Sequence, residues 1–164
     1  MKGWGIAPSN LNFSCKDATM RINTSRFGTL DLAENELFNF PQGLIGLESL
    51  KVWCLVPDPS SPAVAWLQSV SRAQQAVAVI SPRAFVEGYR ACVASRDLAC
   101  LQIRPTDRTY IVTTVAGHVG HLTTNLQAPI VINLDRQLGC QVVATDEQPL
   151  RYALRIEFES RAAA

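Results

Sequence analysis

From Met20 to Val143 turn-forming residues interrupt the chain every few positions, and this punctuation constrains the fold more than any other feature. The intervals are short and β-rich. Met20-Arg21-Ile22-Asn23-Thr24 and Gly28-Thr29-Leu30-Asp31-Leu32 alternate apolar with polar residues, which turns one face inward. Leu37 to Phe40 stops at Pro41, and Val52 to Val56 stops at Pro57-Asp58-Pro59. Ala65 to Ser69, Ala76 to Ile80, Tyr110 to Val115, Leu122 to Asn125, Ile130 to Asn133 and Cys140 to Val143 complete the series. Short strands at this spacing predict a mainly all-β chain, closed as an antiparallel barrel or packed as a sandwich. Ser95 to Leu101 breaks the pattern and predicts a short helix, with Ser95 as its cap and Asp97 near the positive end of its dipole. Leu44, Leu47 and Leu50 have helical phasing that Gly43 and Gly46 oppose, and Ala84 to Ala94 fits either state.

At 164 residues the chain is the size of one domain, and its 48% apolar content is enough for one core. The charged fraction is 18% and the formal net charge +1, which gives no general electrostatic case for nucleic acid or an anionic membrane as partner. Charge is nonetheless uneven. Asp31, Glu34, Glu36, Glu48 and Asp58 face a single Lys51, whereas arginines prevail from Arg72 to Arg108. The cysteines number 5, with irregular spacing and no CxxC, which suits reduced thiols in the cytosol; Cys54, inside an apolar run, reads as buried. Met1 to Asp17 reads as an N-terminal extension without a signal-peptide core, residues 18–158 as the β domain, and 159–164 as a frayed tail. No apolar run is long enough to span a bilayer, so a cytoplasmic monomer is expected.

Catalytic signatures are missing. His118-Val119-Gly120-His121 is the sole histidine pair, but Gly117 and Gly120 place it in a turn between strands, and no second ligand pair has matching spacing. There is no GxSxG elbow, and Gly43-Leu44-Ile45-Gly46 lacks the Lys-Ser/Thr of a phosphate loop. Aromatics at 7% and few lysines argue against a stacking platform for RNA. No cofactor or metal is expected.

Four segments, in order, resemble the flagellar assembly factor FliW family: Arg26-Phe27-Gly28-Thr29-Leu30-Asp31-Leu32; Phe40-Pro41-Gln42-Gly43-Leu44-Ile45-Gly46-Leu47-Glu48; Trp66 to Val70 continued by Ala76 to Pro82; and Thr123 to Asn133 completed by Gly139 to Val143. Each also has a physical reading. Gly28 and Gly43 suit positive φ, Asn125 and Asn133 can bond their own backbone at strand ends, and Leu126, Ile130 and Ile132 would fill a core. The chain departs from the family pattern at Leu47 and Val77, where Phe is usual, and at Ala73, where Pro is usual.

The resemblance implies a compact, flattened antiparallel β-barrel with one or two short helices, and no enzyme activity. It implies two protein partners: flagellin, held before export, and the translational regulator CsrA, bound once flagellin is released so that repression of flagellin synthesis is relieved. The acidic residues Glu34, Glu36 and Glu48 are the expected face for basic CsrA, with Leu44, Ile45 and Leu47 as apolar anchors. The turn-rich region around Gln68, Ser69 and Asn125 is the expected face for flagellin. The alternatives are a FliW-like binding module without a flagellar role, or a small β-barrel enzyme using flavin or metal near His118 and His121.

Overall fold

In the computed structural model, which describes residues 19–159, the first strands β1 (Thr19–Thr24) and β2 (Gly28–Ala33) form a separate antiparallel hairpin. Gly28 closes its turn at φ 68°, where a side chain would be strained. The remaining strands are β3 (Leu37–Asn39), β4 (Val52–Pro57), β5 (Val64–Ser69), β6 (Ala76–Ile80), β7 (Thr109–His118), β8 (His121–Thr124), β9 (Ile130–Asn133), β10 (Leu138–Gln141) and β11 (Tyr152–Leu154). They build a closed seven-strand barrel in the order β7-β6-β5-β4-β3-β10-β9, closed by β9 returning to β7. All pairings are antiparallel except the single parallel bridge Leu138↔Asn39 between β10 and β3. Beyond the barrel, the far half of β7 pairs with β8, and β8 with β11.

Successive side chains of a strand point to opposite faces, and here both faces are covered. Trp53, Ala65, Leu67, Val79, Val112, Ile130 and Ile132 fill the barrel interior, with Phe40, Leu44 and Leu50 reaching in from the loop after β3. The outward residues of β4, Cys54 and Val56, lie under the β1–β2 hairpin through Ile22 and Leu32. The outward residues Ile111, Val131 and Cys140 lie under the segment carrying Val93, Leu98 and Leu101. Val64, Ile80 and Val115 are covered by Phe85, Leu154, Ile156 and Phe158. Each large apolar side chain buried this way contributes about 1.5–3 kcal/mol.

Several expectations need correction. Ser95–Leu101 is a 3-10 helix whose N-cap is Ala94, and no side chain caps it, so Ser95 does not hold that role. Leu44 to Leu50 is not helical: Leu47 N–H donates to Leu44 O at 2.8 Å and Leu50 N–H to Leu47 O at 3.0 Å, forming successive tight turns. Three-residue 3-10 turns also occur at Glu34–Glu36 and Pro82–Ala84. The last barrel strand ends at Gln141 and does not reach Val143, and β11 was not expected. The expected N-terminal extension and most of the tail lie outside the described residues, but Glu159 donates its N–H to Ser60 O at 2.8 Å. Cys54 and Cys140 are buried free thiols, and burial raises them to about 11 and about 12 respectively.

Candidate functional site

Glu34 and Glu36 sit exposed on the turn between β2 and β3. Glu36 Oε2 accepts the Ala33 N–H at 2.7 Å, and the Glu34 carbonyl accepts from Gln137 Nε2 at 2.6 Å. Glu48 Oε1 accepts the Gly46 N–H at 2.7 Å, and this bond first of all holds its carboxyl below the usual range. Ile45 N–H reaches Gln141 Oε1 at 3.0 Å. Gln137 precedes β10 and Gln141 ends it, so the Glu34–Glu36 turn and the Ile45 turn stand at opposite ends of a strand roughly 10 Å long.

Of the expected apolar anchors, Ile45 is 57% exposed and Leu47 half-buried, whereas Leu44 is buried among the interior residues and only lines the floor of the depression described next. Ile45 and Leu47 come together with Val77, Thr114, Asn125 and Gln141 around a depression of about 270 Å³. The structure thus joins residues that the sequence assigned to two different faces. Asn125 forms the expected local turn, its Oδ1 accepting Gln127 N–H at 3.0 Å.

Gln68 and Ser69 are corrected. Both are fully buried, at 0% and 1% exposure, and cannot touch a partner. Gln68 Nε2 lies 3.0 Å from Ser69 O, 3.3 Å from Arg72 O, 3.3 Å from Ala73 O and 3.1 Å from Gln75 O. The amide is a clamp for the β5–β6 loop: its two N–H groups are shared among these carbonyls, of which those of Arg72, Ala73 and Gln75 also accept a backbone N–H, from Gln75, Ser25 and Ser69 respectively.

A larger cleft of about 530 Å³ lies where β6 and β7 part. The two strands pair only at Val79↔Thr114 and Ile80↔Thr113. Beyond that point β7 pairs with β8 and reverses at Val119-Gly120; within the pairing Gly117 lies opposite Leu122 at φ 104°, where a Cβ would strike the His121 carbonyl. The walls are apolar: Val64, Trp66, Ala78, Val115, Leu122 and Phe158. At one rim the Arg26 guanidinium lies 3.9 Å above the Trp66 ring, which Phe27 meets edge-on. Trp66 Nε1 donates to Asp58 Oδ2 at 2.8 Å. Sequence reading did not find this cleft, because the parting of two strands is set by the register of three others. Gly117, which the sequence reading puts in the turn, lies inside β7.

His118 and His121 face each other across the β7–β8 turn, ring centroids 5.0 Å apart and exposed. Among the described residues no group of three or more His, Cys, Asp or Glu side chains converges as a metal site. The chemistry this surface offers is contact and hydrogen bonding.

A family model described as FliW protein matches residues 21–154. The chain is 33% identical over 129 residues to a flagellar assembly factor FliW of Bdellovibrio bacteriovorus, covering 77% of this chain and 74% of that protein. It is 37% identical over 127 residues to a flagellar assembly factor FliW of Moorella thermoacetica, covering 76% and 80%. A crystal structure of the flagellar assembly factor FliW superposes with a TM-score of 0.74 at 27% identity, over 83% of this chain and 96% of that one.

Proposed function

The chain belongs to the FliW family of flagellar assembly factors, and from that premise we propose that it regulates by binding proteins: it holds flagellin in the cytosol and, once released, binds CsrA and relieves repression of flagellin synthesis. The observation that carries this reading is the extent of the match. It runs through residues 21–154 and so includes the acidic turn, the Ile45 depression and most of the cleft between β6 and β7. Apolar concave surfaces beside exposed charge suit protein contact. No catalytic role is assigned, and among the described residues no helix is long and apolar enough to cross a membrane.

Mutually exclusive complexes with two partners make a switch, since occupancy by one sets the free pool for the other. Isothermal titration of the purified protein with flagellin of the same genome tests the first step, and saturable one-to-one binding is expected. Flagellin added to a preformed complex with CsrA should then release CsrA. Absence of flagellin binding by a folded sample overturns the reading.

A further inference from the structure

Irregular cysteine spacing excludes a disulfide framework, yet the fold brings two of the cysteines together. Cys140 lies on β10 and points to the outer face of the barrel, where it packs with Leu101, Val131 and Val142. Cys100 lies on the Ser95–Leu101 segment and packs against the same cluster. Both are free thiols, and they converge on one acceptor: Cys100 Sγ and Cys140 Sγ each donate to Asp97 O at 3.8 Å. The two thiols are also in hydrogen-bond contact with each other. Their exposure differs. Cys140 is 1% exposed, whereas Cys100 is only part-buried. The other described cysteines are placed elsewhere: Cys54 lies under the β1–β2 hairpin and donates to Gln68 O, and Cys92 is exposed.

We propose that Cys100 and Cys140 are a peroxide-responsive dithiol, which a hydroperoxide converts to a disulfide that ties the Ser95–Leu101 segment to β10. The part-exposed Cys100 meets the oxidant first. Its sulfur attacks the O–O bond of hydrogen peroxide, one oxygen stays as Cys100–SOH, and the other leaves with the thiol proton as water. The Cys140 sulfur then attacks the Cys100 sulfur. The S–O bond breaks, the S–S bond forms, and the departing hydroxide takes the Cys140 proton as a second water. Two thiols are oxidised and one peroxide is reduced. Burial first, and then Cys100 beside it, pushes the Cys140 thiol up to about 12, so at rest it stays protonated and shielded from peroxide. Its reactive partner is a sulfur made electrophilic within contact distance. Cys140 is fixed in the β10–β9 ladder opposite Val131, so Cys100 is the side that moves to close the bond. It can do so because a 3-10 segment is held by hydrogen bonds of poorer geometry than those of an α-helix. In a reducing compartment such a bond forms only while oxidant is present. Cys140 also precedes Gln141, whose Oε1 accepts the Ile45 N–H, so the bond fixes the strand that holds the Ile45 turn.

Hydrogen peroxide added to the reduced full chain, followed by alkylation and mass spectrometry of tryptic peptides, tests this. Cleavage after Lys and Arg leaves every cysteine of the chain on a different peptide. The expected product is a pair of peptides joined through Cys100 and Cys140, formed within the monomer and separated again by dithiothreitol. Cys140→Ala removes the resolving thiol, so Cys100–SOH should persist and its labelling by dimedone should rise about tenfold or more over the native protein. Cys100→Ser changes the part-exposed partner and spares the buried one. It should stay folded and keep Cys140 reduced at peroxide doses that link the native pair. Cys100 carried to the sulfinic acid in the native protein while Cys140 stays free overturns the proposal. So does a bond from Cys100 to Cys15 or Cys92, or a Cys100–Cys140 bond found only in a covalent dimer. Oxidation of exposed Cys92 with both Cys100 and Cys140 left as thiols overturns it equally.

Discussion

Gly139 is the residue on which the barrel interior depends most directly. It lies on β10 beneath the fully buried Phe40, and a Cβ at this position would enter the Phe40 ring. The ring is enclosed by the interior cluster and has no open space into which to move. Gly139→Ala is expected to cost about 1–3 kcal/mol, read as a lower urea midpoint with an unchanged slope. Gln68 shows why residue-scale reading fails where it does. A polar side chain beside turn residues suggests surface, and the sequence reading placed Gln68 and Ser69 there. The loop instead folds back over the Gln68 amide, whose donors meet its carbonyls. Gln68→Leu has nearly the same volume and no donor, so it should destabilise by about 1–3 kcal/mol, measured by thermal unfolding. By contrast Asn125 and Asn133 were legible, because an asparagine at a strand end bonds within a few residues of itself.

At the scale of elements, the strands from β1 to β6 fall within a residue or so of their sequence positions. Turn residues mark their ends whatever surrounds them. The faces were harder to read. Val52 to Val56 and Ile130 to Ile132 are apolar without alternation, because the barrel interior covers one side and an outer segment the other. The outer covers themselves were poorly legible, being irregular chain held by specific polar contacts. One of these contacts makes a pH prediction. Asp107 Oδ2 accepts from Asn133 Nδ2 at 2.9 Å and from Arg104 N–H at 3.0 Å, and Asn133 Nδ2 also reaches Leu101 O at 3.1 Å. These bonds tie the end of the Ser95–Leu101 segment to β9. The Asn133 bond first, then the Arg104 N–H, lowers the Asp107 pKa below its ordinary value. A carboxyl lowered by folding adds stability above its unfolded pKa, about 4, and loses that stability as pH falls through the folded value. The urea midpoint of the native protein should therefore fall between pH 5 and pH 3 more than that of Asp107→Asn. Equal falls in both proteins would remove Asp107 from the acid response.

For the whole molecule, composition excluded little and the barrel followed from punctuation, but the arrangement of surfaces was out of reach. Which turns share a barrel end depends on closure, and closure rests on β9 pairing with β7 and on the Leu138↔Asn39 bridge between β10 and β3, which spans a long interval of sequence. The acidic residues illustrate the consequence. The sequence groups Glu34, Glu36 and Glu48, whereas the fold sets the Glu34–Glu36 turn at the Gln137 end of β10 and the Glu48 turn by its Gln141 end. Their carboxylates also differ in employment. Glu36 and Glu48 each hold a backbone N–H, so reversing either disturbs a turn as well as a charge. Glu34 carries no side-chain hydrogen bond or ion pair among the described residues, and its charge alone faces solvent. Glu34→Lys is therefore the clean test of an acidic face for CsrA. If that face steers a basic partner, the variant should weaken CsrA binding by several-fold at low salt, mainly through slower association. The difference should shrink as added salt shortens the Debye length to about 10 Å at 0.1 M and below it beyond that. A variant that binds CsrA as the native protein does at every salt concentration would remove the charge from the interface and leave apolar contact at Ile45 and Leu47 to carry it.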